Sequence, residues 1–169
     1  LNGPAPEGVA AKDIILAIIG QMGVSGAAGH VIEYTGKAIT DLSMEGRMTV
    51  CNMSIEGGAR AGMVAPDKTT FDYMQGREHA PKGADFDRAI EEWSALHTDT
   101  GATYDKRLEI DASKLEPYVS WGTNPGMVAP ISGRVPRLSD AEDEVERKSW
   151  KSALQYMGLA AGTPITKIK

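Results

Sequence analysis

Asn52 and Glu56 stand four residues apart in the run SMEGRMTVCNMSIEGGARAGMVAPDKTTFDYMQGR, residues 43–77. Cys51 precedes the asparagine and Gly57-Gly58 follow the glutamate. On a helix this spacing puts an amide and a carboxylate on one line, with Met48 and Arg60. One reading aims the pair at a bound ligand. The other is a solvated flank in which Glu56 pairs with Arg60, worth only about 0.3–0.5 kcal/mol. Spacing alone favours the flank. The Gly-Gly pair pulls the other way, since each glycine inside a helix costs roughly 0.8–1 kcal/mol relative to alanine. Close approach by another backbone or a ligand would offset that cost. Cys51 falls on the apolar stripe of the same helix, where a lone cysteine is usually a small core residue. No histidine lies near it in sequence to activate it.

The rest of the chain offers little competing chemistry. His30, His79 and His97 lack metal-ligand spacing. Residues 21–29 are glycine-rich but do not follow the G-x-G-x-x-G order of a phosphate cradle. The acidic run at 140–146 reads as a solvated helix start. The 169 residues carry a net charge of −5 and no basic cluster, which argues against nucleic acid and anionic membranes as partners. No apolar run reaches membrane-spanning length, and no signal peptide is visible. One cysteine excludes an internal disulfide framework. These features fit the cytoplasm. The chain opens without Met and has 19 Gly and 8 Met against 2 Phe, and it reads as a piece of a larger protein.

The elements that would position Asn52 and Glu56 follow from periodicity. Residues 11–19 are strongly apolar: Ile14, Ile15, Ile18 and Ile19 make one helical face, with a buried strand as the competitor. Residues 21–29 are loop, and 30–35 a strand closed by Gly36. Ser43 caps the helix that bears the pair. Met44, Met48, Cys51, Ile55 and Ala59 are its stripe, and Gly62 its stop. Residues 63–65 form a strand ended by Pro66, and Asp67 or Thr69 caps a short helix. Asp85 opens a helix with Phe86, Ala89, Ile90, Trp93 and Leu96 on its apolar face. Residues 102–110 alternate as a strand. Residues 118–121 and 127–129 are short strands flanking a Gly-Thr-Asn-Pro-Gly turn. Ser139 with Glu142 makes a capping box for a last helix stopped by Gly158. Helices alternating with short strands give an α/β class with a largely parallel, layered sheet, taken as one domain over 1–169. GMVAP occurs at 62–66 and again at 126–130, either as a duplicated unit or as two strands that happen to end alike.

The string EGRMTVCNMSIEGGARAGMVAPDKTTFDYMQGR closely resembles the large subunits of bacterial 3-isopropylmalate dehydratases, in the aconitase superfamily. GHVIEY (29–34), HAPKGADFD (79–87) and WGTNPG (121–126) extend the likeness over nearly the whole chain. Homoaconitase large subunits are similar. The resemblance implies a three-layer α/β/α fold. It also implies a hydro-lyase that isomerises 2-isopropylmalate to 3-isopropylmalate in leucine biosynthesis, by dehydration and rehydration through isopropylmaleate. In that family a 4Fe–4S cluster polarises the leaving hydroxyl. By the match of motifs, Asn52 lies near the cluster without ligating it, and Glu56 hydrogen-bonds the iron-bound hydroxyl or water. Cys51 is not a ligand in that pattern. The family's ligand cysteines come from a Cys-Thr-Asn segment and a Cys-x-x-Cys, and this chain has neither. The catalytic serine is carried on a separate small subunit in bacteria. The expectation is therefore an internal domain of the large subunit. It would supply one wall of the site for a dicarboxylate substrate, hold no metal alone and be inactive alone. The competing expectation is a stand-alone binding or scaffold domain that keeps the fold without the chemistry.

Overall fold

The computed structural model describes residues 1–168. The apolar run near the start is a helix, α1 (Ala11–Met22). Asp13 closes its first turn, Oδ2 accepting the Ala10 N–H at 2.7 Å. Every residue from 14 to 19 is buried, rather than one face. A helix apolar all round needs cover all round. Tyr34, Ala38, Ile39, Val50, Ile110 and Leu115 join its isoleucines in the larger core. Each isoleucine so buried contributes about 1.5–3 kcal/mol.

Around α1 the chain lays β1 (Val31–Glu33), α2 (Lys37–Thr40), α3 (Met44–Asn52) and β2 (Ala61–Met63). β1 and β2 pair in parallel, Val31 opposite Ala61, with the two helices making the crossover between them. α4 (Lys68–Met74) and α5 (Ala84–Ser94) follow, then β3 (Tyr118–Ser120), β4 (Val128–Pro130) and α6 (Glu144–Met157). The α/β class stands, with helices and a parallel pair as expected. The sheet is not continuous, however. Among the described residues the strands form two two-stranded sheets, and β3–β4 is antiparallel because its connection is a short turn with no room for a crossover. A second cluster packs beneath that hairpin: Trp121, Met127 and Val135 against Ala153, Leu154 and Ile165.

Several expectations are corrected. Residues 102–110 form no strand: they run without a ladder partner, and of them only Ile110 is buried. The two GMVAP copies are not a duplicated unit. In the first, Gly62 and Met63 end a strand; in the second, the strand begins at Val128. Asp67 does cap α4, accepting from Thr69 N–H at 3.0 Å. Gly83, not Asp85, caps α5, and Leu96 lies beyond the helix, exposed. Asp143, not Ser139, caps α6, its Oδ1 accepting the Glu146 N–H at 2.7 Å. Gly158 ends α6 in the left-handed region as expected.

The largest correction concerns α3. Ser43 caps it, Oγ accepting the Gly46 N–H at 3.2 Å. The helix then stops at Asn52, ten residues before Gly62. Its buried positions are Arg47 and Val50, with Ser54 in the following turn, whereas Met48 and Ile55 are about half exposed. The apolar letters misled because a charged residue, Arg47, takes a core-facing position with its own partners. Gly62 is instead a contact point inside β2. A Cβ there would lie 2.1 Å from Ser54 Oγ and 2.9 Å from Cys51 Cα. Gly62→Ala should therefore destabilise the fold by about 1–3 kcal/mol through overpacking. A urea midpoint equal to the parent's would refute this contact.

Candidate active-site groove

The turn after α3, residues 53–58, carries Glu56. It is held from three sides. Ser54, wholly buried, donates from Oγ to Val50 C=O at 3.1 Å and shares a 2.8 Å hydrogen bond with Tyr34 OH. Ala27 N–H donates to Gly57 C=O at 3.0 Å, and Arg60 N–H to His30 C=O at 2.8 Å. The Tyr34 phenol is pushed above its ordinary pKa, chiefly by burial, with the Ser54 bond opposing. It stays a neutral donor.

Gly57 and Gly58 lie in this turn and not in a helix, so no helix-propensity cost arises. Their function is visible in what they touch. A Cβ on Gly57 would fall 2.7 Å from Met22 Cε, and one on Gly58 3.1 Å from Val24 C=O. Gly58 also has φ +86°, which a side chain disfavours. The Gly-Gly pair makes room for the end of α1 and the loop that follows it, where residues 21 and 22, expected in the loop, belong to the helix.

Glu56 is exposed and lines an open groove of about 610 Å³. Lys12, Thr123, Asn124 and Tyr156 line it too. Four separate elements thus converge: the start of α1, the turn after α3, the β3–β4 loop and the end of α6. Asp13 couples two of these walls, since its Oδ1 accepts the Tyr118 N–H at 2.8 Å while its other oxygen caps α1. The β3–β4 loop is fixed by Asn124, whose Oδ1 accepts the Gly126 N–H at 2.9 Å. The turn expected for Gly-Thr-Asn-Pro-Gly is present, and it also presents Thr123 and Asn124 to the groove. A carboxylate, an ammonium, a hydroxyl and an amide at one opening suit a small polar, acidic ligand.

Asn52 does not line this groove. It is exposed at the last residue of α3, with Glu56 in the turn beyond, so the two do not share a helix line. Lys12, Thr123 and Asn124 were not singled out from sequence. Lys12 reads as the wet end of an apolar helix, and the other two as turn residues. Only the folding of distant segments brings them to Glu56.

Cys51 is half-buried, and burial pushes its thiol above the ordinary cysteine value. That favours the protonated, weakly ligating form. No group of three or more His, Cys, Asp or Glu side chains with metal-binding geometry occurs among the described residues. No helix among them is long and apolar enough to cross a membrane.

With this fold and groove in view, one comparison identifies the class. The model of the aconitase family (aconitate hydratase) matches residues 1–169, and the chain belongs to that family. It is therefore placed among hydro-lyases, which add or remove water across a carbon–carbon bond. Aconitase-family members typically bind a 4Fe–4S cluster, and such clusters are held by several cysteine thiolates. One cysteine cannot supply several thiolates, so the residues of this chain do not by themselves fit such a cluster.

Proposed function

We propose that this chain forms one wall of the active site of a hydro-lyase that interconverts 2-isopropylmalate and 3-isopropylmalate in leucine biosynthesis. It acts within a larger cytoplasmic enzyme. The cluster ligands and a small subunit come from outside the 169 residues. The observation that carries the reading is the exposed Glu56 carboxylate in a groove with Lys12 and the Thr123–Asn124 loop. Family membership and the strings around Glu56 support it.

The chemistry assigned to these residues is modest and specific. Dehydration of a hydroxy dicarboxylate breaks a C–O bond and an adjacent C–H bond. Hydroxide leaves readily only if it receives a proton. Glu56 supplies that proton in one direction and accepts it from water in the other. The C–H proton goes to the serine base that the resemblance places on the small subunit, as the C–H electron pair forms the C=C bond. Lys12 offers an ammonium to a substrate carboxylate, and Asn124 an amide with its carbonyl already committed to the loop. Asn52, outside the groove, contacts parts of the site contributed from beyond this chain.

Assay of the complete two-subunit enzyme against isopropylmaleate, aconitate and homoaconitate tests the assignment. The expected result is the highest kcat/KM with isopropylmaleate. Turnover confined to aconitate or homoaconitate would overturn the substrate while leaving the hydro-lyase class intact.

A further inference from the structure

The groove that holds Glu56 is not polar throughout. Three of its four walls each give it one apolar and one polar group: Leu16 with Lys12 on α1, Met53 with Glu56 in the turn after α3, and Met157 with Tyr156 at the end of α6. We propose that Leu16, Met53 and Met157 form a subsite for a compact aliphatic branch on the substrate. The subsite selects an isopropyl group over a third carboxylate. This rests on the hydro-lyase reading and adds the residues that set its specificity.

Two of the three serve neither core. Leu16 is buried, 6% exposed, yet joins neither hydrophobic cluster among the described residues. Its neighbours on α1 at 14, 15 and 17–19 all belong to the larger one. Leu16 instead faces the groove, on the line of Lys12 and Gly20 at spacings of four. Met157 is 41% exposed and likewise belongs to neither cluster. Met53 packs against the larger core from the groove side, which gives the subsite a fixed wall.

The same line of α1 sets the length of the subsite. Lys12 and Leu16 stand one turn apart, a rise of about 6 Å. One turn further on, the β3–β4 hairpin closes against the helix: a Cβ on Gly20 would lie 2.9 Å from Val128 Cγ2. A ligand with its carboxylate at Lys12 thus has room for a short branch over Leu16 and meets Val128 beyond it. Charge gives the same preference. Lys12 is the one cation and Glu56 the one acid among the described residues lining the groove. Aconitate and homoaconitate carry a carboxylate on the substituent that in isopropylmaleate is the isopropyl branch. Against Leu16, Met53 and Met157 that carboxylate would lose water and gain no cation. The branch gains from the same burial.

Hydration of methyl-, ethyl- and isopropylmaleate by the complete two-subunit enzyme reads the subsite directly, since each step adds one carbon. The parent's kcat/KM should rise about four-fold per carbon, equivalent to ~0.8 kcal/mol for a buried methylene. Met53→Ala and Met157→Ala should each cut that rise to below about two-fold. Met48→Ala, half exposed on α3 and outside the groove, should keep the parent's rise. Met157→Lys adds a cation in the last turn of a helix, where one is favoured. It should lower the ratio of kcat/KM for isopropylmaleate over aconitate by at least about five-fold. If Met157→Ala keeps the parent's rise, or Met157→Lys its ratio, the subsite is overturned while the hydro-lyase reading stands. A parent enzyme that hydrates only aconitate or homoaconitate overturns the substrate and the subsite with it.

Discussion

Glu56→Gln in the complete enzyme should lower turnover by about 10²–10⁴-fold, the usual contribution of a positioned acid–base group. The substitution keeps shape and hydrogen-bonding capacity and removes only the ability to exchange a proton. Glu56 is exposed, and among the described residues no salt bridge or side-chain hydrogen bond depends on it. The turn that holds it is fixed by backbone bonds and by the Tyr34–Ser54 pair. Unfolding midpoints of the variant and parent should therefore agree within the ordinary surface range of about 0.5 kcal/mol. KM should move less than kcat, since the proton matters most in the transition state. Near-normal kcat in a variant with the parent's iron content would remove Glu56 from the reaction. A large loss of stability would instead make it a structural residue.

How well the sequence foretold this site depends on which forces act locally. Two caps were readable because one side chain and one or two neighbouring N–H groups decide them: Ser43 and Asp67 cap as expected, whereas Gly83 and Asp143 take the places expected of Asp85 and Ser139. The turn at 122–126 and the stop at Gly158 were readable for the same reason. The burial face of α3 was not, because Arg47 is buried through Asp67, which lies twenty residues on. A hydrophobicity pattern cannot express a core-facing arginine whose partners come from another helix. The Gly-Gly pair drew attention correctly, but its cause is the end of α1 and the loop after it, a contact that spacing does not encode. The strand expected at 102–110 is instructive in another way. Its alternation is real, yet a strand exists only with a partner. Of the candidate site, Glu56 was reached through motif resemblance. Lys12 and the β3–β4 loop needed the fold, since four elements far apart in the chain meet only after α1 is buried.

The same buried arginine supports the second large effect. Arg47 is 3% exposed and meets Asp67 through two bonds of 2.7 Å, one from each terminal nitrogen. It also donates to Thr40 C=O at 2.8 Å, and its Nε is buried with no partner among the described residues. The pair ties α3 to α4. Asp67→Ala should cost about 3–5 kcal/mol, because it leaves a desolvated cation without its counter-charge and removes the α4 cap. Arg47→Met should cost less, since it removes the buried charge altogether and leaves Asp67, a third exposed, still capping α4. A reversed order in urea unfolding would show that Arg47 is not held by Asp67. The pH dependence has a definite sign. The Asp67 carboxyl lies below the ordinary aspartate range, first through the hydrogen bonds from Arg47, with partial burial opposing and the Thr70 and Thr69 N–H groups assisting. The folded state therefore gives up this proton more readily than the unfolded one. The stability it contributes is complete above the unfolded value of about 3.9 and is lost as pH falls through the lower folded value. Asp67→Asn keeps an N-cap and cannot titrate. The acid limb of its stability curve should be shallower than the parent's below about pH 4. Parallel acid limbs would mean that other carboxylates carry that dependence.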